Sequence, residues 1–226
     1  GVDGYYGHYS GTCTISSNTF SCNGRYGFSM TGSTLSATNN KFYNNGSYAA
    51  HVTTSGFNEC SGNTGSGNGV NGFGLAGYVN TSHSWSVGSA EFPIILIEKF
   101  TVGDELTLTI PAGTIIKADS TGQLTVNGTL NVNGTEGDSV VITSLQDDEY
   151  GGDTNGDGSA TTAAPGDWYG IYLNGHYTYE AIGNFDYCRI RYGGNMTGDA
   201  DANISCTNKT NSGHFNNSIS EYSGNH

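Results

Sequence analysis

Residues 106–145 read LTLTIPAGTIIKADSTGQLTVNGTLNVNGTEGDSVVITSL, and this stretch decides the fold. Apolar residues alternate with polar ones in short segments at 106–110, 124–126, 130–132 and 140–142. An alternation with a period of two indicates β-strands that bury one face.

The turns between these segments argue against a simple hairpin. Asn127-Gly128 and Asn133-Gly134 are dipeptides that normally predict hairpin turns. Only residues 129–132 separate them, which is too short for a paired antiparallel strand. Corners that all turn in one direction fit better, because such a chain coils and each coil stacks on the previous one as a parallel sheet. We therefore predict an all-β fold, a right-handed parallel β-helix with three short strands in each coil.

The first 78 residues repeat a related pattern. Asn18, Asn40 and Asn58 each begin an Asn-x-apolar segment, and a Gly or Asn-Gly turn follows each of them. Stacked asparagines at one corner of a solenoid can form a ladder of side-chain hydrogen bonds. We expect these three and Asn217 near one corner. The side chains expected to point inward are Phe20, Phe42, Leu124, Val126, Leu130, Val132 and Ile142.

The chain is predicted to be one β-helix unit spanning residues 1–226. Asn-rich coils cover 1–78 and regular coils cover 79–145, while 146–166 form an inserted acidic loop and 167–226 continue the coils. The apolar run FPIILI at 92–97 predicts a strand buried on both faces, under a loop that contains Trp85.

The composition is typical of a secreted, surface-exposed protein. Only 7 Lys and Arg stand against 20 Asp and Glu, for a net charge of −13, so a nucleic-acid partner is excluded by the lack of basic clusters. No apolar run is long enough to cross a membrane. The five cysteines contain no C-x-x-C pair, which favours an oxidising extracellular setting with disulfides over a zinc site.

Several asparagines lie in Asn-x-Ser/Thr sequons, which are either glycan acceptors or turn and ladder residues. The glycosylation candidates are Asn45, Asn80, Asn195, Asn203, Asn208 and Asn216.

The two ends of the chain read as two parts of one coil. Residues 217–226 followed by 1–7 give NSISEYSGNH/GVDGYYG, which matches NTFSCNGRYGFSMTG at 18–32. Neither end shows the polar cap that a free solenoid needs to protect its edge strands. We therefore expect this unit to bind copies of itself head to tail, as separate subunits or as repeats of one longer chain.

Four segments carry a resemblance to right-handed parallel β-helix proteins of prokaryotic cell surfaces, in the pectate-lyase-like superfamily. They are LTIPAGT (108–114), LTVNGTL (124–130), VITS (141–144) and the loop end PGDW (165–168). Residues 186–226 and 1–75 are similar to the generic Asn-rich coils of that superfamily. The resemblance implies the fold, but its members include adhesins, stalks, sheaths and polysaccharide-active enzymes, so it leaves the function open.

The acidic loop contains a candidate calcium site. Asp153, Asn155, Asp157 and Ser159 follow the D-x-N-x-D-G spacing that opens an EF-hand-type loop. Position twelve is Ala164, so a further carboxylate must come from elsewhere, for example from Asp147 or Asp148. The alternative is a solvated acidic loop that binds no metal.

Function remains divided between two classes at this point. The favoured one is an extracellular, cell-surface structural protein, a subunit or repeat of a filament, sheath or stalk. The alternative is a β-helix that binds or cleaves polysaccharides, possible partners being cell-surface glycans, with Arg189 and Arg191 beside Asp186, Asp199 and Asp201 as candidate groups. A groove for acidic polysaccharides should be basic, and this chain is acidic, so no catalytic residue is assigned.

Overall fold

The computed structural model describes residues 1–32, 34–86, 92–195, 201–207 and 211–224. This part of the chain forms short strands and no helix. In chain order the strands are β1 (Tyr5–His8), β2 (Thr12–Ser16), β3 (Thr19–Ser21), β4 (Phe28–Thr31), β5 (Thr34–Thr38), β6 (Lys41–Tyr43), β7 (Tyr48–Thr53), β8 (Gly56–Ser61), β9 (Thr64–Ser66), β10 (Val70–Val79), β11 (His83–Ser84), β12 (Ile94–Val102), β13 (Thr107–Pro111), β14 (Ile115–Ala118), β15 (Gln123–Val126), β16 (Thr129–Asn133), β17 (Val140–Ser144), β18 (Gly170–Asn174), β19 (Ala181–Asp186), β20 (Cys188–Arg191), β21 (Ile204–Thr207), β22 (Asn211–Asn216) and β23 (Ile219–Glu221).

Parallel pairing between successive coils organises these strands into a β-solenoid. A long sheet runs β1-β4-β7-β10-β12-β14-β17-β20-β23, and beyond β12 a branch continues through β15, β18 and β21. A second sheet runs β11-β13-β16-β19-β22, and two three-stranded sheets run β2-β5-β8 and β3-β6-β9. The predicted parallel β-helix fold is therefore confirmed.

Columns of buried side chains fill the interior. Backbone register stacks Phe28, Ala50, Phe73, Ile94 and Ile116 in one column of the long sheet. Each of these side chains is at most 1 % exposed. The predicted inward residues are confirmed: all are buried except Phe20, which is partly buried and stacks on Phe42 with ring centroids 5.2 Å apart.

The strand at 94–97 is buried on both faces, as predicted. Ile94 and Leu96 face the main core, whereas Ile95 and Ile97 form a small outer cluster with Ala76. The cover over this outer cluster differs from the expectation, because it consists of Tyr48, Val70 and Leu145. Trp85 instead lies inside the main core, where its ring packs against Phe57 and Phe100.

Asparagine ladders hold the corners, but two predicted members, Asn58 and Asn217, are wrong. Asn217 is the exposed corner residue itself (φ 49°), and the following Ser218 accepts the N–H of Cys188. Asn18 Nδ2 donates to Asn40 Oδ1 at 3.2 Å, and Asn40 Nδ2 donates to Asn63 Oδ1 at 3.0 Å. Asn58, expected in this ladder, is an exposed residue of β8 instead. Each ladder residue comes directly after a corner residue with positive φ. In this coil the corner residue is Gly62 (φ 64°), so Asn63 enters the ladder.

A second ladder, which the sequence pattern did not reveal, occupies the next corner. Asn23 Nδ2 donates to Asn45 Oδ1 at 2.8 Å, and Asn45 Nδ2 donates to Asn68 Oδ1 at 2.7 Å. The two ladders thus flank the three-stranded sheet β3-β6-β9 on both sides.

Replacing Asn40 with Ala should destabilise the fold by roughly 1–3 kcal/mol for each buried backbone group that loses its partner. Asn40 Oδ1 accepts from the Asn18 backbone N–H at 3.0 Å, and its Nδ2 donates to the Ile15 carbonyl at 3.1 Å. Urea unfolding monitored by circular dichroism measures the loss. Asn58→Ala is the matched control, and an equal effect of the two substitutions would contradict the structural role of the ladder.

Candidate functional site

The solenoid has two open edges. At one edge β1, β2 and β3 each pair with a single strand, and at the other edge β21, β22 and β23 do the same, within the described residues. A strand paired on one side presents a row of unused backbone N–H and C=O groups on the other. Both edges therefore offer templates for additional parallel strands.

Interior side chains are uncovered at these edges. Tyr5, at the start of the Phe28 column, is 42 % exposed, whereas Phe28 in the next coil is fully buried. At the opposite edge Phe215 stacks over Phe185 and is 43 % exposed. A cavity of about 440 Å³ opens here, lined mainly by apolar groups that include Leu173 and Ile204.

The inward positions of the two edges share one arrangement. In the three strands at the first edge they are Tyr5, Gly7, Cys13, Ile15 and Phe20. At the second edge they are Ile204, Cys206, Asn211, Gly213, Phe215 and Ser220. In both edges the last two inward residues are five positions apart, from Ile15 to Phe20 and from Phe215 to Ser220.

Backbone conformation at the corners repeats this correspondence. Ser17 and Cys22 flank β3 with φ near 58°, and Asn217 and Tyr222 flank β23 with φ of 49° and 51°. The end segment at 217–222 therefore has the corner geometry of 17–22. Asn217 corresponds to Ser17, one position away from the match made with Asn18.

A cluster of charged side chains around the buried Arg191 connects the acidic loop to the outer face of the long sheet. Arg191, 5 % exposed, donates from Nη1 to Asp147 Oδ2 at 3.0 Å and to Glu149 Oε2 at 2.7 Å. Its Nε lies 3.0 Å from Glu221 Oε1 in β23. Hydrogen bonding from Arg191 lowers the pKa of Glu149. We call Arg191 with these three carboxylates the latch.

Three aromatic rings surround the guanidinium of Arg191, the buried cation of the latch. The Arg191 guanidinium lies 5.2 Å from the Tyr150 ring, 4.9 Å from the Tyr192 ring and 5.3 Å from the Tyr222 ring. Such contacts stabilise a desolvated cation. Tyr192 and Tyr222 also stack on each other, with centroids 5.1 Å apart.

Lys117, which the sequence pattern did not single out, is a second anchor for the loop. It follows Ile95 in the outward column of the long sheet and is fully buried. Its Nζ donates to the Gly152 carbonyl at 2.6 Å. Burial lowers the pKa of Lys117 to about 8, partly offset by the nearby carboxylates of Asp148 and Asp147.

The calcium candidates divide into two groups. Asp147 lies in the latch and accepts from Thr143 Oγ1 at 2.5 Å, and both oxygens of Asp153 accept loop N–H groups. By contrast, Asn155 Oδ1 and Asp157 Oδ1 are buried acceptors without a hydrogen-bond partner. These two oxygens suit a hard cation.

Asp148 and Ser159 complete the set of predicted metal ligands. Burial and then the charge of Asp153 raise the pKa of Asp148, so carboxylates crowd each other in this loop. Ser159 is exposed. Among the described residues, no three His, Cys, Asp or Glu side chains are already gathered as a metal site.

The candidate catalytic groups are not gathered into one site. Arg189 and Arg191 face outward on β20, as their alternation with buried Cys188 and Ile190 predicted. Asp186 belongs to the second sheet, where it accepts from His214 Nε2 at 2.7 Å. Asp199 lies outside the described residues, and Asp201 is half-buried.

The glycosylation candidates divide into buried and exposed asparagines. Asn45 and Asn203 are each 1 % exposed, and their amides hydrogen-bond to the backbone, so a glycan on either is incompatible with this fold. Asn80, Asn195 and Asn216 are exposed, and Asn208 lies outside the described residues.

The expected disulfides are not formed. All five cysteines are free thiols, with Cys13, Cys60 and Cys188 buried and Cys22 and Cys206 exposed. The buried thiols fill positions on inner faces of strands, which is a packing role. An oxidising environment therefore cannot be inferred from their pairing.

Comparison of the chain with protein-family models, with curated proteins and with solved structures returned no match. The resemblance to prokaryotic surface β-helices therefore stays a prediction. Across the described residues, no helix has the length and apolarity that a membrane span requires.

Replacing Arg191 with Gln should destabilise the protein by roughly 3–5 kcal/mol, because the buried Asp147 loses its charge partner. The matched control is Arg189→Gln, whose side chain is 29 % exposed and pairs with Glu221. That control should cost about 1 kcal/mol or less. Urea unfolding of both variants measures the difference, and similar losses would show that the latch does not hold the loop.

Proposed function

We propose that this chain is an extracellular structural module whose solenoid edges stack head to tail into a filament, sheath or surface stalk. The observation that supports this most is the matched arrangement of inward residues at the two edges. The modules are either separate subunits or repeats of one chain. Both arrangements use the same joint between the two edges.

Stacking brings apolar side chains together in two of the three strand pairs of the joint. Ile204 lies over Tyr5 of the next copy, Phe215 over Ile15 and Ser220 over Phe20 in this register. Fully burying an aromatic or large aliphatic side chain contributes roughly 1.5–3 kcal/mol. Unused backbone groups at both edges gain partners in the same step.

Polymer growth follows from the symmetry of the joint. The two edges lie at opposite ends of the strand order, so the contact between copies is heterologous. A heterologous contact that does not close into a ring grows without limit. The joint is non-covalent, because Cys206 falls over Gly7 and Tyr222 over Cys22 in the proposed register.

An extracellular setting agrees with the surface. The net charge of −13 keeps long assemblies apart through repulsion. Glycans at the exposed Asn80, Asn195 and Asn216 would add to solubility.

We also infer that calcium braces the acidic loop through Asn155, Asp157 and Asp148, with Asp153 and the Ser159 carbonyl. The partnerless oxygens of Asn155 and Asp157 support this. The cation would supply positive charge where the crowded carboxylates repel one another. The protein side chains orient the loop, and the latch holds its first residues.

Edge substitutions should abolish assembly while leaving the fold intact. In Phe215→Asp or Ile15→Asp, a carboxylate replaces an apolar contact of the joint, and its burial without a partner is unfavourable. Analytical ultracentrifugation and negative-stain microscopy of concentrated protein compare these variants with the original chain. Circular dichroism checks that each variant is folded.

Tyr177→Asp serves as the control, because Tyr177 is 91 % exposed and belongs to neither edge. It should assemble like the original chain. Stacking is wrong if the original chain stays monomeric at high concentration, or if both edge variants form the same filaments.

Calcium should raise the melting temperature and protect the loop from proteolysis, since a ligand that binds only the native state stabilises it. At a concentration about 100 times Kd the gain is about 2.7 kcal/mol. Asp157→Asn should weaken the effect, whereas Glu136→Gln, at an exposed turn, should not. Unchanged melting between calcium and chelator would show that the loop binds no calcium.

A further inference from the structure

A small cavity lies at the corner where the long sheet leads into the next strands, away from the latch. Its volume is about 210 Å³. Tyr9 and Tyr78 line it together with the hydroxyl-bearing Thr31, Thr53 and Ser55, and Asn80 completes the rim. None of its lining residues is an acid, a lysine or an arginine.

The two tyrosines differ in exposure and in their contacts. Tyr9 is half-buried, packs on the main core, and its hydroxyl is hydrogen-bonded to Tyr5. Tyr78 is 61 % exposed at the end of β10. A half-buried ring and an exposed ring therefore border the same space.

Glycines keep this space open. Gly77 adopts φ of 115°, and a Cβ there would lie 3.2 Å from the Thr54 carbonyl oxygen. A Cβ on Gly32 would come within 3.1 Å of Tyr9 Cβ and 2.9 Å of Met30 Cε. Both residues line the cavity, and side chains at these positions would either fill it or displace Tyr9.

Aromatic faces beside hydroxyl and amide groups match the chemistry of a sugar. The C–H faces of a pyranose pack on aromatic rings, and its hydroxyls exchange hydrogen bonds with Thr, Ser and Asn side chains. The cavity is smaller than pockets for drug-sized ligands, which are about 300–1,000 Å³, and so suits a single ring. Without a charged lining residue, it selects against ionised ligands.

We propose that this cavity is a binding site for one neutral pyranose residue, held between Tyr9 and Tyr78 over Thr31, Thr53 and Ser55. The sugar belongs either to a separate surface glycan or to a glycan attached to Asn80 on the rim. Asn80 begins the sequon Asn80-Thr81-Ser82, so the second source needs no second molecule. The site does not depend on the stacking of copies.

Binding is tested on chain produced in a bacterial cytoplasm, where Asn80 carries no glycan. The probes are the methyl glycosides of glucose, galactose, mannose and N-acetylglucosamine, followed by saturation-transfer NMR. We expect at least one glycoside to bind saturably, and Tyr78→Ala to weaken it by about tenfold or more. Tyr177→Ala, which removes a tyrosine that is 91 % exposed and lies elsewhere, should leave binding unchanged.

Gly32→Ala is a second variant, in which the added methyl group would fill part of the cavity rather than remove an aromatic ring. It should also weaken glycoside binding.

The two sources of the sugar are distinguished on protein from the natural host. Mass spectrometry of the peptide containing Asn80, together with protection of Tyr78 from nitration, would identify the attached glycan as occupant. Binding of a free glycoside by native protein with unmodified Asn80 would identify a separate glycan. The proposal is overturned if no glycoside binds and Tyr78 of the native protein is nitrated as readily as Tyr78 of the glycan-free chain from the bacterial cytoplasm.

Discussion

Parallel backbone pairing between successive coils is the constraint on which this structure depends. Each short strand gives its hydrogen bonds to the coils before and after it, so no strand is stable without its neighbours. Side chains must then repeat direction from coil to coil, because a shift by one residue would turn an inward column outward. The column from Phe28 through Ile116 and the corner ladders are two results of the same requirement.

The features that repeat along the chain could be predicted from the sequence. Alternation at 124–126 and 130–132 gave the inward residues, and the short spacing between turns gave a solenoid. The ladder was only partly predicted, since Asn58 is the extra residue of a bulge in the pairing of β5 with β8. A local irregularity of that kind changes the spacing between coils and leaves no clear mark in a chain rich in asparagine.

The latch was beyond prediction for a different reason. Arg191 meets Asp147 and Glu149 across 44 and 42 residues of chain. Their contact depends on how the loop folds back over the sheet, which no local pattern specifies. The role of Lys117 was even harder to predict from the sequence. An outward position on a strand normally faces water, whereas Lys117 lies buried beneath the loop.

The latch has a mechanical consequence. In a solenoid the backbone hydrogen bonds run along the long axis, so a pull along that axis loads them in tension and coils separate one after another. Asp147 follows β17, Arg191 belongs to β20 and Glu221 to β23, so the ion pairs of a single arginine connect three successive coils. These coils cannot part singly without breaking the buried Arg191–Asp147 ion pair, and a buried charge that loses its partner costs roughly 3–5 kcal/mol. The latch therefore acts as a tie that makes this part of the solenoid resist extension as a block.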